Sequence, residues 1–400
     1  MKRIIPMVMG LLFLAAGCQQ PSVKEAKKEV YGKWSVSRAN VLYSLARDHL
    51  AGGHVDKACS NAEEGLSLDP ESKDLRFLLA RIYIEKGYYS RSIGLLQLLV
   101  QQEQQDTQDK HPGLLAEMYY LLGAAQEKEG RLEEALASYN RSAELDRSTI
   151  APILAATEVL VAMGNVEKAQ DFLACQTGRY APEPAAAELA GRLAMMRKQY
   201  VRAAKQFQLA CDLDSENKRY PELLASAQYA AGEYAQAGET LNRLLRRKGY
   251  KGPAWVYTLL GDCMMARNRY EPAEKAYQKA CLARPEEPAA WTRLAKAALA
   301  MNHLTKAIRS AHQARSLDAN HLDAAILLGY SLLRVDKPDK AVEVLLDAAK
   351  AHPNDEIVLC LLGRAYGKMG RDDLAKQFYE AAGRIRPDSP LLEGLLAVAK

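Results

Sequence analysis

Catalytic motifs, metal-ligand spacings and paired cysteines are missing from this chain of 400 residues, and each absence removes a class of explanation. No HExxH, GxSxG, GxGxxG or phosphate-cradling GxxxxGK occurs, and the seven histidines are scattered, so neither hydrolytic, nucleotide-dependent nor metal-assisted chemistry is indicated. Paired acids such as Glu133/Glu134 and Asp372/Asp373 sit where helices start, and negative charge there offsets the helix dipole. The protein is therefore expected to be no enzyme, with no metal and no cofactor. Apart from Cys18 there are six cysteines, none in a CxxC pair. Cys263 and Cys281 form the one plausible couple, with buried free thiols the simpler reading. Lys and Arg total 54 against 49 Asp and Glu, which is not a nucleic-acid protein's balance. The one dense basic stretch, Arg243, Arg246, Arg247, Lys248 and Lys251, falls at a helix end, where cations suit the dipole.

What is present is a phase. A small residue recurs as Ala58, Ser92, Ala135, Ala169, Ala203, Ala237, Ala273, Ala307, Ala341 and Ala375, at intervals of 34 residues except for one of 43 and one of 36. Twelve or thirteen residues before each lies an apolar residue followed by a small one, as in Leu122/Gly123, Leu260/Gly261 and Leu328/Gly329. Between them stands a chain-breaking position held by Gly53, Gly87, Gly130, Gly164, Gly232 and Gly370, or by Lys, Asn or Asp. Each unit reads as helix, tight turn, helix. Two helices approach to about 8 Å only where side chains are short, which explains the small residues. A fixed period of this length marks a solenoid in which each repeat is buried by its neighbours.

Residues 116 to 149 are the cleanest copy and resemble the tetratricopeptide repeat family. Trp291/Leu294/Ala295, Leu362/Gly363/Tyr366, Ala375/Tyr379/Ala382 and Pro387 match that family's pattern closely, and the copies beginning near Ile150 and Lys218 match it least. The resemblance implies an all-α, right-handed α-solenoid of ten repeats. Repeats 1 and 2 are expected over residues 39–106, a polar insertion over 107–115, repeats 3 to 10 over 116–389, and a C-terminal capping helix over 390–400.

The amino terminus carries a second signal. Lys2 and Arg3 precede an apolar run from Ile4 to Ala16, too short to cross a bilayer. Residues 1–17 read as a signal peptide ending Leu14-Ala15-Ala16-Gly17-Cys18, which resembles a bacterial lipoprotein cleavage box with Cys18 as the acylated first residue of the mature chain. Two or three acyl chains hold a protein firmly on a membrane. Gln19 resembles the outer-membrane sorting pattern, so the expected location is the outer membrane facing the periplasm. Residues 18–38 lack the repeat phase and read as a lipidated cysteine with a flexible tether.

In the family that the repeats resemble, the first helices line a concave groove. Counting from each repeat start places Tyr43, Arg47, Phe77, Arg81, Arg192, Met195, Tyr229, Trp255, Met265 and Arg364 on that face. An apolar stripe beside cations suits an amphipathic or extended peptide. The expected role is a scaffold or adaptor for envelope proteins. The alternative is a carrier or receptor for a small molecule or glycan in the same groove. The Lys and Asn spacing with which some members of the family recognise a free carboxyl terminus is missing.

Overall fold

The computed structural model describes residues 23–105 and 111–386. Cys18 with its leader, residues 107–110 of the insertion, Pro387 and the 390–400 segment lie outside the described residues.

Among the described residues every regular element is an α-helix, in two compact units. The first, through Asn165, holds α1 (Val23–Ala51), α2 (Val55–Leu68), α3 (Lys73–Glu85), α4 (Tyr89–Gln105), α5 (Pro112–Glu129), α6 (Leu132–Leu145) and α7 (Ala151–Ala162). The second, from Val166, opens with α8 (Val166–Thr177), α9 (Pro184–Met196), α10 (Tyr200–Leu213), α11 (Arg219–Ala230), α12 (Tyr234–Leu245), α13 (Ala254–Ala266) and α14 (Tyr270–Ala283). It continues with α15 (Pro288–Ala300), α16 (Leu304–Leu317), α17 (Leu322–Arg334), α18 (Pro338–Ala351), α19 (Glu356–Lys368) and α20 (Asp372–Ile385). Within each unit a helix packs on the next in the chain, and a first helix also touches the following first helix, as α11 does α13 and α15 does α17. This is α-solenoid construction, in which contacts join nearest neighbours.

The repeat phase marks the most buried positions of the molecule. Nine of the ten small residues have no exposed surface, and Ala375 has 4%. Ser92, the one polar member, donates its hydroxyl to the Ala80 carbonyl at 2.8 Å, so its burial leaves no orphan group. Beside them the two helices of a pair trade volume. A methyl group at Gly123 would stand 2.8 Å from the Tyr139 ring, and one at Gly191 2.5 Å from Phe207. Gly261 meets Tyr277 and Gly363 meets Tyr379 in the same way. Where alanine holds the first-helix position, its partner sixteen residues later is smaller: Ala62 opposite Ala46, Leu96 opposite Ala80, Ala311 opposite Ala295.

The turn between paired helices takes a left-handed residue. Glycine supplies it in six pairs, for example Gly130 at φ 86°, and Lys198, Asn268, Asn302 and Asp336 adopt φ of 55° to 59° in the others. Charged links tie several pairs to the next. Lys86 reaches Asp56 at 2.7 Å, Arg197 reaches Glu167 at 3.0 Å and Lys368 reaches Asp336 at 2.7 Å. Glu274 is buried yet accepts from Lys306 at 2.5 Å and faces His303 Nδ1 at 2.8 Å. Burial opposes its ionisation, but the hydrogen bonds with Lys306 and His303 outweigh that and hold its carboxyl below the usual range.

One expectation changes. Residues 23–38, expected within a flexible tether, form the front half of the 29-residue helix α1. Lys, Glu and Ala favour helix there, and no proline follows Pro21 to stop it. In the 43-residue interval α4 runs to Gln105, and Pro112 starts α5 within the 107–115 segment. The cysteines of the described residues are free, and burial pushes both the Cys263 and Cys281 thiols up to about 12.

Because the crossing is already filled, Ala203→Leu and Gly191→Ala should each destabilise the second unit by about 1–3 kcal/mol through overpacking. Thermal and urea melts of the full chain check this, and the loss should appear as a local or split transition. Unchanged melts for both variants would contradict the assigned packing.

Candidate binding face

The first helices present the face, and the second helices determine what remains open on it. In the second unit Arg192 on α9, Trp255 on α13, Lys296 on α15 and Arg364 on α19 are exposed. Met195, Tyr229 and Met265 are half-buried, the methionines packing on the cores around Phe207 and Tyr277 respectively. Tyr229 meets Tyr234 edge to face with ring centroids 5.3 Å apart. Burial raises its hydroxyl pKa, and the nearby charge of Asp262 adds to this. Trp255 is 44% exposed and has no ring partner among the described residues, so its indole is open to a ligand.

In the first unit Arg47 and Arg81 are exposed, as the spacing predicts. Tyr43 packs against the core around Ala58 and Leu78. Phe77 is partly buried and packs against Leu99, Val100 and Met118.

A polar network went unread in the sequence. Tyr277 of α14 crosses over Gly261 and donates to Asp262 Oδ1 at 2.6 Å, and Arg293 Nε of α15 lies 3.3 Å from the same oxygen. Tyr139 likewise crosses Gly123 to donate to Glu127 at 2.9 Å. The acids at these two inward positions are thereby engaged, and Arg192, Lys296 and Arg364 are exposed. An acid twelve or fifteen residues before a second-helix tyrosine is the signal that would have found both links. Among the described residues no group of three or more His, Cys, Asp or Glu is placed to hold a metal ion, and no helix is long and apolar enough to cross a membrane.

Tetratricopeptide repeat models match residues 49–111, 116–149, 222–290, 292–356 and 358–389, well over half of the chain. This protein belongs to the tetratricopeptide repeat family. Its helix pairs are therefore units of a fold whose usual work is holding other proteins. Lipopolysaccharide assembly protein B of Escherichia coli K12 is 23% identical over 148 residues, and the O157:H7 protein of that name matches equally. The match spans 37% of this chain and 36% of that protein. Among solved structures, the APC/C Cut9-Hcn1 hetero-tetramer covers 92% of this chain and 97% of its own at 14% identity and a TM-score of 0.42. The C-terminal part of a repeat protein from Cytophaga hutchinsonii covers 69% and 99% at 15% identity and 0.47.

The buried tyrosines predict alkaline lability. Burial raises the Tyr277 pKa, and the hydroxyl's bond to Asp262 raises it further. In the unfolded chain the phenol titrates near its ordinary value of 10.0, so the stabilisation is complete below that pH and is lost as pH rises above it. Each such tyrosine should contribute about 1.4 kcal/mol of loss per pH unit. Urea midpoints measured between pH 9 and 11 should fall for the native chain and fall less steeply for Tyr277→Phe. Parallel slopes would contradict the linkage.

Proposed function

We propose that this protein is a non-catalytic scaffold, anchored through acylated Cys18 to a bacterial envelope membrane, that holds protein or peptide partners on the face of its first helices. The carrying observation is the array of exposed Arg192, Trp255 and Lys296 around half-buried Tyr229, Met195 and Met265 on successive first helices of a tetratricopeptide chain. Aromatic and methionine surfaces supply adaptable apolar contact, and a guanidinium beside them selects acidic groups. The sequence around Cys18 supports acyl anchoring on the outer membrane's periplasmic side, and the partial likeness to a lipopolysaccharide assembly protein fits an envelope setting.

Two substitutions separate the parts of this reading. Cys18→Ser should move the protein from the membrane to the soluble fraction; retention after a high-salt wash would rule out the acyl anchor. Tyr229→Ala with Trp255→Ala should weaken capture of partners from membrane extracts by about 2 kcal/mol with helicity unchanged, whereas Gln278→Ala on α14 should do little. Equal recovery by the double variant would place binding elsewhere.

A further inference from the structure

The single 36-residue interval, from Ala237 to Ala273, coincides with a cavity on the other side of the helix pairs. After α12 the chain runs through an irregular segment to Pro253. Gly249 takes a left-handed φ of 74°, Tyr250 donates to Glu222 of α11, and Gly252 sits close against Leu245. Two confluent lobes of about 400 and 490 Å³ lie between α12, α13 and the start of α14, sharing Asn242, Arg246, Met264 and Arg269. Each is of the size that accommodates ligand groups.

The walls carry one sign of charge. Arg243 and Arg246 line the α12 side, Lys275 and Lys279 the α14 side, and Arg267 and Arg269 the turn between α13 and α14. Against these six cations stands one lining carboxylate, Glu239, which is exposed and pairs with Arg243 at 3.4 Å. Lys275 pairs with Glu271 on its own helix, and Lys279 lies over the Tyr257 ring. Arg246, Arg267 and Arg269 make no ion pair among the described residues. The dipole of α12 favours the cations at its C-terminal end, but Arg269 stands at the N-cap of α14, where the same field opposes a cation. Unopposed like charges around a low-dielectric hollow raise the local concentration of anions. The floor is apolar, made by Leu245, Tyr257, Leu260 and Met264.

We infer that this trough is a second binding site, which takes an acidic amphipathic peptide segment with carboxylates along both sides and a bulky apolar residue on the floor. The arrangement decides for a peptide over a compact phosphate. Arg243 and Arg246 are three apart on one helix and Lys275 and Lys279 four apart on another, so each pair is spaced by a helical turn. Two spaced rows of cations beside an apolar floor complement a linear polyanion with an apolar stripe. Arginine adds two-pronged recognition of carboxylates.

Fluorescence anisotropy on the full chain, with a short labelled peptide in which glutamates flank a leucine and a phenylalanine, tests the assignment. Binding should be saturable, weaken by about tenfold or more in Arg246→Glu with Arg269→Glu, and weaken similarly when serine replaces the peptide's apolar residues. It should persist in Tyr229→Ala with Trp255→Ala. Arg267→Glu, exposed in a turn, gives an independent variant whose melt verifies folding. Equal affinity of native and charge-reversed proteins would overturn the site. So would inorganic triphosphate or phosphatidylglycerol vesicles binding more tightly than the peptide and losing that binding in the same variants.

Discussion

The closest approach of two helices within a pair sets everything else in this molecule. Tyr139, Phe207, Tyr277 and Tyr379 each lie across a glycine, and the smaller partners Ala62, Leu96 and Ala311 lie across alanine. At Gly123, Gly191, Gly261, Gly329 and Gly363 a side chain of the second helix fills the space a methyl group would need, so the same close crossing recurs in these pairs. That regularity lets successive first helices present one continuous face within a unit. It also reaches beyond packing. A tyrosine that crosses a glycine carries its hydroxyl to the far side of the first helix, where Glu127 and Asp262 receive it. The steric rule thus fixes which of these carboxylates on the first-helix face are already engaged.

The period was legible because burial at a crossing tolerates few residue types, and all ten small residues proved fully or almost fully buried. The turn position was legible for a related reason. Lys198, Asn268, Asn302 and Asp336 occupy the glycine slot and pay the left-handed strain that glycine avoids. Features without such narrow tolerance were read less well. Residues 23–38 have ordinary helix-forming composition, and lacking the phase they resembled a linker. Phe77 stands where a first helix faces inward, yet an aromatic ring is long enough to turn back into the core beside Leu99 and Met118. The basic stretch around Arg246 gave no sign of a hollow, because Arg267, Arg269, Lys275 and Lys279 join it only through the packing of three helices.

The links between pairs are of a different kind. Lys86 with Asp56 and Lys368 with Asp336 join partners about thirty residues apart at the surface, where one ion pair contributes little. Glu274, shielded and held by two partners, is the exception. Cohesion between pairs therefore rests mainly on apolar contacts between neighbours, which are close in sequence. Short sequence separations favour rapid assembly, pair by pair.

The lengthened connection after α12 can be viewed as a dislocation in a one-dimensional lattice. Two added residues shift the spacing between Ala237 and Ala273, while both residues remain wholly buried and the pairs on either side keep their internal register. In a globular domain, an insertion beside the core disturbs many contacts at once. In a stacked array the disturbance is confined to one junction, and the space it opens inherits whatever side chains the neighbouring helices already turn outward. A chain built this way can acquire a new recognition surface by editing a connector, leaving every load-carrying crossing unchanged.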